Sequence, residues 1–134
     1  YFFSNTIPQK LAVWHLVGGL DPLNASELKG TEPKDGYPNT LEEWITRDGL
    51  KCLKIKLKGN NAEWDIDRLK KIGEISKKMN VDWLTADFNG RVESAQYVND
   101  ILDYFRDNHP EISGKILYKS CSTFVLLIKI QTID

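Results

Sequence analysis

Two short segments carry the residues best suited to chemistry. In Leu53-Lys54-Ile55-Lys56-Leu57-Lys58 lysine takes every second position, and a later apolar run closes on Asp87-Phe88-Asn89-Gly90. Side chains alternate faces along a strand, so Lys54, Lys56 and Lys58 are expected on one face and the aliphatic residues on the other. A lysine beside a second cation, partly out of water, has a lowered pKa and can accept a proton. In the later run Val81, Trp83, Thr85, Asp87 and Asn89 fall on one face, with the polar pair last. A carboxylate there can bind a hard cation such as Mg²⁺ through oxygen. Each segment also has a plain structural reading. Strand lysines can face water and discourage edge pairing, and Asp and Asn before glycine favour a turn. Jointly the two resist that reading, because each delivers its polar residues to one face at the same end of successive strands.

The elements that must position these residues follow from periodicity. Leu11 to Val17 reads as a first strand, closed by Gly18-Gly19. Asp21 to Pro38 is a loop rich in proline, glycine and charge. Thr40-Leu41-Glu42-Glu43 fits a capping box, opening a short helix to about Arg47 that Gly49 stops in a left-handed turn. Cys52 to Leu57 is the second strand. Ile66, Leu69, Ile72, Ile75 and Met79 form one helical stripe, with Asn80 as its C-terminal cap. Val81 to Asp87 is the third strand. Ala95, Val98, Ile101, Leu102 and Phe105 form another helical stripe, ended at Asn108-His109-Pro110. Lys115 to Tyr118 starts a fourth strand. Such alternation predicts a parallel sheet with helices packed on it. Right-handed crossovers bring all strand ends to one edge, where ligands bind in parallel α/β folds. A doubly wound open sheet and part of an eight-stranded barrel both fit.

Composition excludes several classes of function. The 134 residues carry a net charge of -1, which gives no reason to expect nucleic acid or an acidic membrane surface. The longest apolar run, Phe124 to Ile128, is too short to span a bilayer. No basic-then-apolar leader marks export, so a cytoplasmic location is expected, with Cys52 and Cys121 as free thiols. A chain opening on Tyr1-Phe2-Phe3 rather than methionine is expected to be a piece of something longer. His15 and His109 have no visible partners and read as structural. Gly18-Gly19 reads as a turn, and Trp14, Trp44, Trp64 and Trp83 read as packing residues. Ser120, Cys121 and Ser122 have no base nearby in sequence and carry no nucleophilic role.

At this point the residues resemble a family. Leu53 to Gly59 looks like the K-x-K strand of the enolase superfamily, in its mandelate racemase and muconate lactonizing branch. Thr85 to Gly90 looks like that branch's D-x-N strand ending, one strand-helix unit later, and Leu11 to Gly19 resembles its first barrel strand. The resemblance covers about residues 10–118 and implies the first half of a TIM-type (β/α) barrel, with a small open α/β sheet as the alternative. Residues 1–9 would be a linker or the end of an N-terminal capping domain. It further implies a Mg²⁺-dependent acid-sugar dehydratase, racemase or epimerase that removes a proton next to a carboxylate. By position, Asp87 would be the first metal ligand and Lys56 the acid/base on one face of a small carboxylate substrate. Lys54 would sit beside Lys56, and Asn89 would be a supporting polar group near the metal. The parent enzyme could be a homo-oligomer.

The chain departs from the family after Ile116-Leu117-Tyr118. Where a Glu-Gln-Pro run with the second metal ligand is expected, it reads Lys119-Ser120-Cys121-Ser122, and no acid follows until Asp134. Residues 119–134 form a β-prone tail that reads as a change of reading frame, an unrelated replacement or a divergent strand. The chain alone is therefore expected to be inactive, to bind Mg²⁺ weakly or not at all, and to be marginally stable or self-associating. The contrasting expectation is a small non-enzymatic α/β binding or scaffold domain with a solvated lysine face.

Overall fold

The computed structural model describes residues 12–120. Strand β1 is Trp14–Val17, followed by a long loop holding a 3₁₀ turn at Ala25–Glu27. Then come helix α1 (Leu41–Asp48), β2 (Cys52–Lys56), α2 (Ala62–Lys78), β3 (Trp83–Asp87), α3 (Ala95–Asn108), the single turn α4 (Pro110–Ser113) and β4 (Ile116–Ser120). All strand pairs are parallel, in the order β1-β2-β3-β4. This is an α/β fold with a four-stranded parallel sheet. Among the described residues no helix is long and apolar enough to cross a membrane.

Local chemistry accounts for the helix boundaries. Thr40 accepts the Glu43 amide and the Glu43 carboxylate accepts the Thr40 amide, closing the capping box, and Gly49 stops α1 at a left-handed φ of 62°. Helix α2 ends in a Schellman turn. Asn80 takes φ 55°, its N–H reaches Lys77 O, and Val81 N–H reaches Ser76 O. Val81 is thereby drawn into the core and out of β3, so it does not share a face with Trp83. Strand β1 is also shorter than expected: Ala12 and Val13 precede it, and Leu11 lies outside the described residues.

Among the described residues, helices cover one face of the sheet and leave the other uncovered. Val17, Leu53, Ile55, Leu84 and Ala86 pack in a single core with Leu41, Ile45, Leu69, Ile72, Val98, Ile101, Phe105 and Ile112 from the helices. Ile112 of α4 packs so closely on α2 that a Cβ at Gly73 would lie 2.6 Å from it. The strand order runs through without the reversal of a doubly wound sheet, and the small open α/β sheet fits the described residues. On the opposite face Trp14, Leu16 and Trp83 are exposed, Leu16 at 52%. Of the four tryptophans read as packing residues, Trp64 packs partly buried against the core, Trp44 is partly buried beside His15 and Tyr37, and Trp14 and Trp83 are exposed.

Candidate functional site

Register decides which side chains meet. Lys54 lies opposite Thr85 and Leu16, and Lys56 lies opposite Asp87. Adjacent residues in register point to the same face, so Lys54, Lys56 and Asp87 share the uncovered face with Leu16. There Asp87 Oδ2 accepts Lys56 Nζ at 2.6 Å and lies 3.1 Å from Lys54 Nζ. Asp87 Oδ1 accepts the Asn89 amide at 3.0 Å. Lys56 Nζ also donates to Asn89 Oδ1 at 2.9 Å, while Asn89 Nδ2 donates to Leu57 O at 2.7 Å. The four residues singled out in the sequence thus form one cluster at the carboxyl ends of β2 and β3.

The turn reading of Asn89 is also correct, and the two roles coexist. Asn89 and Gly90 take φ of 55° and 65°, and Arg91 N–H closes the turn on Phe88 O. Two successive left-handed residues favour Asn-Gly. That backbone aims the Asn89 amide back across β2, where it clasps both Lys56 and Leu57. Lys58 leaves the cluster. Strand β2 ends at Lys56, so the alternation lapses, and Lys58 Nζ sits 4.5 Å over the Trp64 ring instead.

Sequence reasoning missed the residue that holds the strand ends together. Asp65, in the first turn of α2, is fully buried. Its carboxylate accepts the Lys58 amide at 2.7 Å, the Gly59 amide at 2.8 Å and the Tyr97 hydroxyl of α3 at 2.7 Å. Gly59 takes φ 76°, and a Cβ there would stand 2.3 Å from Phe88 O. The loops after β2 and β3 therefore touch backbone to backbone, which fixes Lys56 against Asp87 and Asn89. Local pattern gives Asp65 only as a first-turn acid favoured by the helix dipole; its tertiary partner Tyr97 leaves no local signal. Arg68, also buried, donates to Gly18 O at 2.6 Å and Asp21 O at 2.9 Å and so anchors the loop after β1.

The electrostatics are unequal. Two ammonium groups face one carboxylate, and they are the more exposed: 42% for the Lys54 side chain and 30% for Lys56, against 7% for Asp87. Burial pushes the Asp87 carboxyl up. Hydrogen bonds from Lys56, the Asn89 amide and Lys54 outweigh that effect and hold it below its ordinary value.

The described residues do not fit a Mg²⁺ site as they stand. No group of three or more His, Cys, Asp or Glu is gathered among them. Asp87 Oδ2 is engaged by two ammonium groups and Oδ1 by an amide, so a dication would have to displace cations and then fill its shell with water. The remaining sequence candidates are structural or fall outside this region. His15 packs tilted beside Trp44, and His109 packs beside Tyr104 and Phe105. Cys52 is a buried free thiol whose pKa burial raises. Cys121 and Ser122 lie outside the described residues. No family model, curated protein or solved structure matches the chain.

Proposed function

We propose that this chain contributes the first four strands, with the crossovers between them, of an eight-stranded (β/α) barrel, from a Mg²⁺-dependent enzyme of the enolase superfamily. In that reading the parent is an acid-sugar dehydratase, racemase or epimerase. Lys56 moves the proton on one face of a small carboxylate substrate, Lys54 stands beside it, and Asp87 and Asn89 complete the polar cluster. The observation that carries the reading is the meeting of Lys54, Lys56, Asp87 and Asn89 at the carboxyl ends of neighbouring parallel strands, on the face that the helices leave uncovered. In a closed barrel that face is the interior and that end is where catalytic residues gather. The exposed Trp14, Leu16 and Trp83 would then be interior packing residues. The chain by itself is inactive in this reading, because it offers a metal one carboxylate already bound by lysines.

A second reading, a small non-enzymatic α/β domain, is favoured by one specific observation: both lysines pair with Asp87, as in a structural ion-pair cluster. The nucleotide sequence beyond the Tyr118 codon separates the two. A second reading frame encoding an apolar-Glu-Gln-Pro run followed by further strand-helix units supports the enzyme. Its absence from all three frames overturns the enzyme reading.

A further inference from the structure

We propose that two copies of this chain pack face to face through the sheet face the helices leave uncovered, strands antiparallel, with each copy's indoles over its partner's ammonium groups. The inference concerns the chain by itself and rests on neither the barrel nor the metal of the function proposed above. It starts from how the register sorts that face along the strands. Trp14, Cys52 and Trp83 lie side by side at its amino end. Cys52 is buried there, between two indoles exposed at 36% and 41%. Leu16 and Lys54 form the next row, and Lys56 and Asp87 the last. Both ammonium groups close on Asp87 Oδ2, so both charges sit at the carboxyl end. The face is therefore polarised. One end is aromatic; the other, about 13 Å along the strands, has net charge +1 from two ammonium groups and one buried carboxylate.

Charge decides how such a face meets a second copy. A two-fold axis along the strands stacks like on like and crowds the ammonium groups of both copies together, which is unfavourable. Closing the two sheets edge to edge with all strands parallel also brings both charged ends to one mouth. A two-fold axis across the strands instead sets each charged end over the partner's aromatic end. Sheets packed face to face lie about 10 Å apart with strands roughly aligned, a gap that lysine and tryptophan side chains span. The ammonium groups of Lys54 and Lys56 then meet indoles, the aromatic rings that attract a cation best. Leu16 and the apolar stem of Lys54, in the middle row, meet their own copies. One face thus carries both complementary halves, as a self-complementary two-fold contact requires. Four strands about 4.8 Å apart and about 17 Å long make a small face for a stable dimer, so the association is weak and reversible.

Two substitutions at one exposed position separate the arrangements by sign. Trp83→Lys sets a cation against the partner's ammonium groups, and Trp83→Glu sets a carboxylate there. In the antiparallel pair Trp83→Glu should associate several-fold more tightly than Trp83→Lys, even though it adds to the chain's net negative charge. Stacked like on like, each variant meets its own charge and both are weakened alike. The test is sedimentation velocity of the full chain with thiols reduced, from micromolar to millimolar protein. Isotope-filtered NOE spectra of labelled wild type mixed with unlabelled wild type accompany it. Within one copy Trp83 and Lys56 stand about 13 Å apart along the strands, beyond NOE range, so a cross-peak from the Trp83 indole to Lys56 arises only between copies. Mass rising with concentration and that cross-peak are expected. The wild-type spectra decide even if a variant fails to fold. A monomer at every concentration, the result if another segment of the chain occupies the face, overturns the proposal. So do cross-peaks that join Trp83 to the other copy's Trp83 instead, and a Trp83→Glu chain that associates no better than Trp83→Lys. None of these outcomes bears on the coding-sequence test, so failure here is distinct from failure of the enzyme reading.

Discussion

Replacing Asp65 with alanine should be among the most damaging single changes outside the apolar core. The carboxylate is fully buried and is shared by the Lys58 amide, the Gly59 amide and the Tyr97 hydroxyl. A hydrogen bond to a charged group contributes about 1.5–3 kcal/mol net. Three bonds on one acceptor are not independent, and the variant is relieved of burying a charge. The expected loss is therefore about 3–4 kcal/mol, well short of the simple sum of three such bonds. Tyr97→Phe removes one donor and leaves the carboxylate two amides, so it should cost about 1–2 kcal/mol. With a urea slope of about 2 kcal/mol/M, Asp65→Ala lowers the midpoint by about 1.5–2 M and Tyr97→Phe by about 0.5–1 M. Alkaline unfolding gives a second arm. Burial, then the hydrogen bond and charge of Asp65, raise the Tyr97 phenol above its ordinary value. A raised group stabilises the fold fully below the unfolded pKa, about 10 for tyrosine, and loses that contribution as pH climbs toward the folded value. Wild type should therefore lose stability more steeply than Tyr97→Phe above about pH 10. Equal urea midpoints for wild type and Asp65→Ala would refute the idea that this carboxylate holds the strand ends together. So would Tyr97→Phe proving as costly as Asp65→Ala.

Three further outcomes are expected. Asp87, held below the ordinary carboxylate range, contributes stability above the unfolded value near 3.9 that fades as pH falls through the lower folded value; acid unfolding of Asp87→Asn should lose that component. The uncovered face with Trp14, Leu16 and Trp83 should drive self-association. Sedimentation velocity should show mass rising with concentration and falling toward monomer in Trp83→Lys, whereas a concentration-independent monomer with a sharp unfolding transition would contradict this. In heavy water with Mg²⁺ and a panel of acid sugars, the chain should exchange no α-protons; metal-dependent exchange lost in Lys56→Ala or Asp87→Ala would mean that the chain holds a working site.

What could be read from the sequence was what short-range physics determines. The capping box at Thr40, the left-handed stop at Gly49 and the stripes of α2 and α3 are set by residues a turn apart, and each lies where periodicity put it. The convergence of Lys54 and Lys56 on Asp87 was also legible, since parity and parallel alternation together select face and end. Errors arose where a tertiary or local backbone event broke the periodicity. The Schellman turn at Asn80 turned Val81 into the core, and the end of β2 at Lys56 released Lys58 to Trp64. The exposure of Trp14 and Trp83 depends on which sheet face the helices cover, which strand periodicity does not encode. Asp65 stayed hidden because its partner Tyr97 belongs to another helix.

The cluster itself is most directly tested by NMR of the lysine ammonium groups, in ¹⁵N-labelled protein at mildly acidic pH. Two ammonium signals protected from water exchange are expected, assigned through Lys54→Met and Lys56→Met. Both should respond when Asp87 becomes asparagine, and the Lys56 signal alone should respond strongly to Asn89→Ala, since Asn89 Oδ1 accepts from Lys56. Ammonium signals indifferent to Asp87→Asn would mean that the lysines point to water and share no site with the carboxylate.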